Sequence, residues 1–166
     1  MTGQISIHTL ILFAAALTFA YAAVSDVRDY RIPNSCNGVL AVLYAVHVWQ
    51  APGEIIVGAA LIVTFAVFTV CMVFYSMKRL GGGDVKLIAV AALWAGPAYI
   101  SDFIVVTALA GGVLSLVYIT HFFVAPALGF DQGSTRGSHE SPLTTKLPYG
   151  VAIAAGGLVT LLHLAQ

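Results

Sequence analysis

Apolar residues run along this chain in six blocks, roughly 6–24, 37–51, 54–76, 86–100, 102–124 and 148–165. Between them lie the polar breaks "SDVRDYRIPNS", "QAPGE", "SMKRLGGGD", "GPAYISD" and the long "GFDQGSTRGSHESPLTTKLPYG". A bilayer core takes about 20 apolar residues per helix, and fewer where flanking side chains reach the headgroups. The pattern therefore predicts an all-α polytopic membrane protein of six transmembrane helices in a single domain over residues 1–166, although the second and fourth blocks are short.

Composition agrees. Of the 166 residues, 60% are hydrophobic and 8% charged, where a soluble domain carries about a quarter charged. The apolar surplus exceeds what one core of this size can hide and must face lipid. Net charge is zero, so no electrostatic footprint for nucleic acid exists. Cys36 and Cys71 stand far apart with no Cys-x-x-Cys spacing, which argues against zinc or a disulfide framework and for packing roles. The opening "MTGQISIHTL" has no basic stretch or cleavage signal, so the first block reads as a retained helix.

Charge also orients the chain, because cytoplasmic loops collect Lys and Arg. All seven basic residues, Arg28, Arg31, Lys78, Arg79, Lys86, Arg136 and Lys146, fall in or beside the first, third and fifth breaks. The second and fourth breaks hold only Glu54 and Asp102. Six spans with both termini outside and odd-numbered loops cytoplasmic satisfy this bias. The breaks containing Asp26, Asp29 and Asp84 then emerge on one face.

Those aspartates are the candidate chemistry. Asp26 directly follows an apolar block, and Pro33 closes the polar stretch and sets up the next helix. Asp84 stands behind Gly81, Gly82 and Gly83 and before the block starting at Val85, an N-cap position. A bland account makes Asp26 a loop carboxylate paired to an arginine and Asp84 a helix cap. Yet glycine lets another backbone approach closely, and a triple-glycine hinge at a membrane face suggests that something passes near it. Two carboxyls a few ångströms apart cannot both ionise cheaply; one holds a proton and the other is a base. Such a pair activates water and polarises a carbonyl, hydrolysing a peptide without a covalent intermediate. Asp26 and Asp84 are the expected catalytic pair.

The same residues resemble a known family. Asp26, six intervening residues and Pro33-Asn34, then Gly81-Gly82-Gly83-Asp84 with Lys86 two residues on, and "KLPYGVAIAAGG" from Lys146 through Pro148 to Gly157, are similar to the type IV prepilin peptidases, most closely their small Flp/Tad-type branch. The resemblance implies an intramembrane aspartic protease of the bacterial inner membrane, with Asp26 and Asp84 catalytic and no cofactor. It implies as substrates pilin-like precursors carrying a short basic leader before a hydrophobic helix, cut at the cytoplasmic face. Larger members carry an N-terminal extension with paired Cys-x-x-Cys zinc ligands, associated with N-methylation. No such extension is seen here, so proteolysis without methyl transfer is expected.

Other positions stay open. Asp29 either holds a basic leader side chain or, the reading favoured, forms a solvated ion pair with Arg31. Lys86 either steadies the Asp84 carboxylate or anchors a helix end in anionic headgroups. Pro33, Asn34, Lys146 and Pro148 are further candidates for substrate contact. His47, His121 and His163 lack ligand spacing and read as packing or interfacial residues, while Gly111-Gly112 and Gly156-Gly157 read as close-packing helix contacts. Two rival functions remain: a small proton- or cation-coupled transporter using Asp26 and Asp84 as ion sites, and a divalent-cation site built by Asp26, Asp29 and Asp84.

Overall fold

A computed structural model describes residues 7–50, 56–127 and 147–166, with side chains from 121 to 127 excepted. Every regular element among the described residues is a helix: α1 (Ile7–Asp29), α2 (Asn34–Gln50), α3 (Val57–Ser76), α4 (Gly82–Ala127) and α5 (Tyr149–Leu164). Three of them, α1, α3 and α4 as far as Thr120, are long and apolar enough to cross a membrane, while α5 is a shorter apolar helix.

The fourth and fifth apolar blocks form one element. The expected break over 96–102 shrinks to Gly96, whose φ of 53° and ψ of −166° interrupt α4. That conformation is open to glycine and strained for any other residue, and Pro97 can follow at once because it needs no N–H at the start of a helix. Cross-contacts show that the chain doubles back here. Lys86 meets Asn34 and Trp94 donates to the Leu40 carbonyl, so the arm over 82–95 runs parallel to α2. On the arm over 97–127, Phe103 and Thr107 meet Gly156 and Tyr118 meets Tyr30, so it runs antiparallel to α5. Asp84 and Tyr118 thus lie toward one end of the bundle and Asp102 toward the other.

Small residues let the helices close up. A Cβ on Gly157 would lie 2.7 Å from the Phe19 ring, and one on Gly156 would meet Thr107 and come within 2.9 Å of Phe103. The expected packing role holds for this pair. It does not extend to Gly112, which faces open space, and Gly111 makes only ordinary contact with Ala152. The core collects Phe19, Leu40, Leu87 and Ile153 with a run of alanines. Phe13, Leu17, Phe65, Val113 and Leu116 point outward, as a lipid-facing surface requires.

At the far end, Trp94 stacks on His47 and meets Tyr44 edge-on, while His8 packs against His47. His163 stacks on Tyr99 and lies 3.7 Å from Asp102. His47 and His163 are therefore packing and helix-end residues, as expected. The side chain of His121 lies outside the described residues.

Candidate active site

The end of the bundle that holds Asp26 is assembled by helix termini. α1 continues past its apolar block to Asp29, so Asp26 and Asp29 are helical rather than loop residues. Nothing in "SDVRD" opposes a helix, and α1 stops only where Tyr30 turns left-handed at φ 49°, a common helix ending. The chain then folds back, with the Ser25 hydroxyl donating to the Arg31 carbonyl at 2.8 Å. Pro33 follows and its carbonyl accepts the Cys36 N–H at 3.1 Å, starting α2.

Helical phase decides which acid faces inward. Asp26 continues the buried stripe of Ala15, Phe19 and Ala22 and is only 6% exposed. Its Oδ2 accepts the backbone N–H of Gly150 at 2.6 Å. Asp29 is exposed, and among the described residues it forms no ion pair with Arg31. The favoured pairing is therefore absent: Asp29 still belongs to α1, while Arg31 lies beyond the left-handed turn at Tyr30.

Asp84 is the third residue of α4, not its N-cap. The cap is Gly81, whose carbonyl accepts the Val85 N–H at 3.1 Å, and the Asp84 carboxylate reaches back to accept the Gly81 N–H at 3.2 Å. This is the reciprocal half of a capping box. Of the three glycines only Gly81 shows a close approach, while Gly82 and Gly83 make ordinary contact. A Cβ on Gly81 would lie 2.8 Å from Asp84 Oδ2, and one on Gly83 would lie 3.4 Å from the Ile32 Cβ and 3.7 Å from its backbone nitrogen and oxygen. Gly82 faces the Tyr75 ring at 3.5 Å.

Asp84 is near enough to Asp26 to feel its charge. A second link ties the two segments: Lys86 Nζ donates to Asn34 Oδ1 at 2.9 Å. Lys86 thus engages the residue after Pro33 rather than Asp84 in this structure. Pro148 is the N-cap of α5, and Lys146 lies outside the described residues. Among the described residues no group of three or more His, Cys, Asp or Glu gathers to hold a metal ion, so the three-aspartate cation site finds no support. Two features escaped the sequence reading. Gly150 acts through its backbone: it lies in the Lys146–Gly157 stretch that carries the resemblance, but nothing in the sequence pointed to its N–H as a partner of Asp26. The pairing of the Tyr30 and Tyr118 hydroxyls at 3.1 Å had no signal.

A helical membrane bundle with two carboxylates at one end defines a candidate intramembrane hydrolase. The chain belongs to the type IV leader peptidase family, whose model matches residues 11–116, a stretch that includes both aspartates and the Gly81–Asp84 motif. Membership makes the protein a peptidase, with prepilin-like proteins as its class of substrate. No curated protein and no solved structure matches the chain. The transporter alternative gains no support, since both acids lie toward one end of the helices, away from the midplane that a carrier needs.

Proposed function

We propose that this protein is an aspartic endopeptidase of the bacterial inner membrane that removes the basic leader from Flp-like prepilins at the cytoplasmic face, with Asp26 and Asp84 as the catalytic pair. One observation carries the reading: the contacts of Gly83 with Ile32 and of Lys86 with Asn34 bring the first turn of α4, which holds Asp84, against the segment that follows the buried Asp26, although 58 positions of sequence separate the two acids (84 − 26).

The chemistry follows from sharing one proton. The ionised carboxylate takes a proton from water as the hydroxide adds to the scissile carbonyl carbon. The protonated partner gives its proton to the carbonyl oxygen, forming a gem-diol. On collapse, the first carboxyl protonates the departing amine and one diol proton returns to the second. Both acids end as they began, and no acyl-enzyme forms.

A six-span arrangement, with both termini outside and the aspartates on the cytoplasmic side, suits this substrate. Its support is the positive-inside bias and the length of α4. The apolar stretch Gly82–Thr120 has 39 residues, about 58 Å of helix and nearly twice a hydrocarbon core, and it turns back at Gly96. In that arrangement Arg28, Asp29 and Arg31 are exposed at the Asp26 end of α1 and available to a charged leader.

Co-expression with an Flp-type prepilin tests the proposal. Wild type shortens the precursor, visible as a mobility shift. Asp26→Asn and Asp84→Asn each lower cleavage by at least about 10³-fold while accumulating normally in the membrane. Undiminished trimming by either variant refutes the paired-aspartate mechanism.

A further inference from the structure

Two carboxyls that share a proton are told apart by their surroundings, and here the surroundings differ. Asp26 is buried and accepts a 2.6 Å hydrogen bond from Gly150. Asp84 is half-buried and accepts a 3.2 Å bond from Gly81 in an exposed setting. Both donors sit at helix N-termini, so what differs is reach and setting: the Gly81 bond is local, exposed and long, whereas the Gly150 bond is buried, short and joins α5 to α1. Gly150 is the second residue of α5, and an N–H in the first turn of a helix has no acceptor within its own helix. The amides there carry the positive end of the helix dipole and favour an anion. The bond to Asp26 both satisfies an orphan donor and stabilises a carboxylate.

Position 150 must be glycine for this contact to form. A Cβ there would lie 2.8 Å from Asp26 Oδ2, 2.9 Å from its Cβ and 3.0 Å from its Cγ. The other groups near Asp26 do not offer the same service. Asp84 is the acid facing it from α4. Lys86 is engaged by Asn34. The titratable side chains of α2 are Cys36, Tyr44 and His47; those of α5 are Tyr149, beside Gly150, and His163 at the opposite end; and Arg28 and Asp29, on the same helix as Asp26, are exposed.

We infer that the N-terminus of α5 is the third component of the site: the Gly150 N–H holds Asp26 as the ionised, water-activating member of the pair and leaves the shared proton with Asp84. Gly150 is a positioning residue acting through Asp26. The inference rests on the catalytic reading above and divides the labour that reading leaves undivided. It also separates a buried base between α1 and α5 from a half-buried acid in the first turn of α4.

Hydrogen exchange at the Gly150 amide tests the contact directly, using the full chain in detergent micelles. Asp26→Ala speeds exchange at this amide by about tenfold or more, as expected for loss of a bond to a charged group, while Asp84→Ala leaves it unchanged. In cleavage assays, Gly150→Ala lowers kcat by about tenfold or more with KM unchanged, and moves the acidic limb of the pH profile toward neutrality. Gly112→Ala, which adds a methyl in open space, matches wild type.

Equal exchange in wild type and Asp26→Ala overturns the inference, as does a Gly150→Ala enzyme slowed equally at every pH. If Gly150→Ala fails to accumulate, the exchange measurement decides alone. Failure of the two readings is distinguishable. Active Asp26→Asn and Asp84→Asn enzymes sink the catalytic pair whatever the amide does. Inactive variants with an Asp26-independent Gly150 amide sink this inference only.

Discussion

Lys86 on α4 and Asn34 at the start of α2 are joined side chain to side chain, Nζ to Oδ1, at 2.9 Å. The bond fastens the helix that carries Asp84 to the segment that follows Asp26. Lys86 is exposed, so water competes for its ammonium and the link is worth about 1 kcal/mol. Lys86→Met should therefore lower cleavage by about fivefold, with little change in thermal midpoint. Asn34→Asp, which keeps an acceptor and adds a charge, should retain most activity. Initial rates on one prepilin substrate check both.

Much of this arrangement was legible because acids are scarce in so apolar a chain. Asp26 and Asp84 stood out by composition, and the Gly81–Asp84 loop by its motif. Helix ends were not legible in the same way. Apolar length marks where lipid ends, but α1 continues through "SDVRD" because those residues tolerate a helix, and only the left-handed Tyr30 stops it. The triple glycine hid the start of α4, since any of its members can leave or enter a helix, and Asp84 was assigned the cap that Gly81 forms. The fate of Asp29 depended on that same helix end. Gly150 was visible only as a member of the Lys146–Gly157 stretch, and its bond to Asp26 was not, because a backbone N–H carries no residue signature.

The tight contacts of α5 predict unequal costs for adding one methyl group. A Cβ at Gly157 would press to 2.7 Å from the Phe19 ring, a fully buried side chain between α1 and α5. Overpacking of this kind costs about 1–3 kcal/mol. At Gly96 the space is adequate, the nearest contact being Ala60 at 3.8 Å, but the left-handed φ of 53° is not. Strain there costs about 1–3 kcal/mol. Gly157→Ala and Gly96→Ala should each lower the thermal midpoint in detergent, whereas Gly112→Ala, with nothing within 4 Å, should leave it unchanged.

The six-span arrangement predicts which positions share a side. Cys36 and Cys71 are both buried and can be replaced by alanine to give a background for single cysteines. Arg28→Cys and Lys78→Cys should then react with a membrane-impermeant maleimide only in inverted vesicles, where the cytoplasmic face is outward. Asp102→Cys, at the end of the bundle near His163, should react only in right-side-out vesicles. Labelling of residues 28 and 102 from the same side would overturn the topology while leaving the family assignment untouched.

Sharing one proton between Asp26 and Asp84 sets the sign of the pH response. In sufficiently acidic solution both carboxyls are protonated, no base remains to activate water, and cleavage falls. In sufficiently alkaline solution both are ionised, no proton remains for the carbonyl oxygen, and cleavage falls again. kcat/KM should therefore trace a bell with one proton lost on each limb, and its two apparent values belong to the pair rather than to either residue. If Asp84 holds the shared proton, Asp84→Asn should abolish the alkaline limb in whatever residual activity it retains: the amide has no proton to lose over this range. Rates of a synthetic leader peptide, measured across pH in detergent with precursor binding followed in parallel, check this. A wild-type profile with a single limb would mean that only one ionisation governs the reaction, and two carboxyls sharing a proton would no longer describe it.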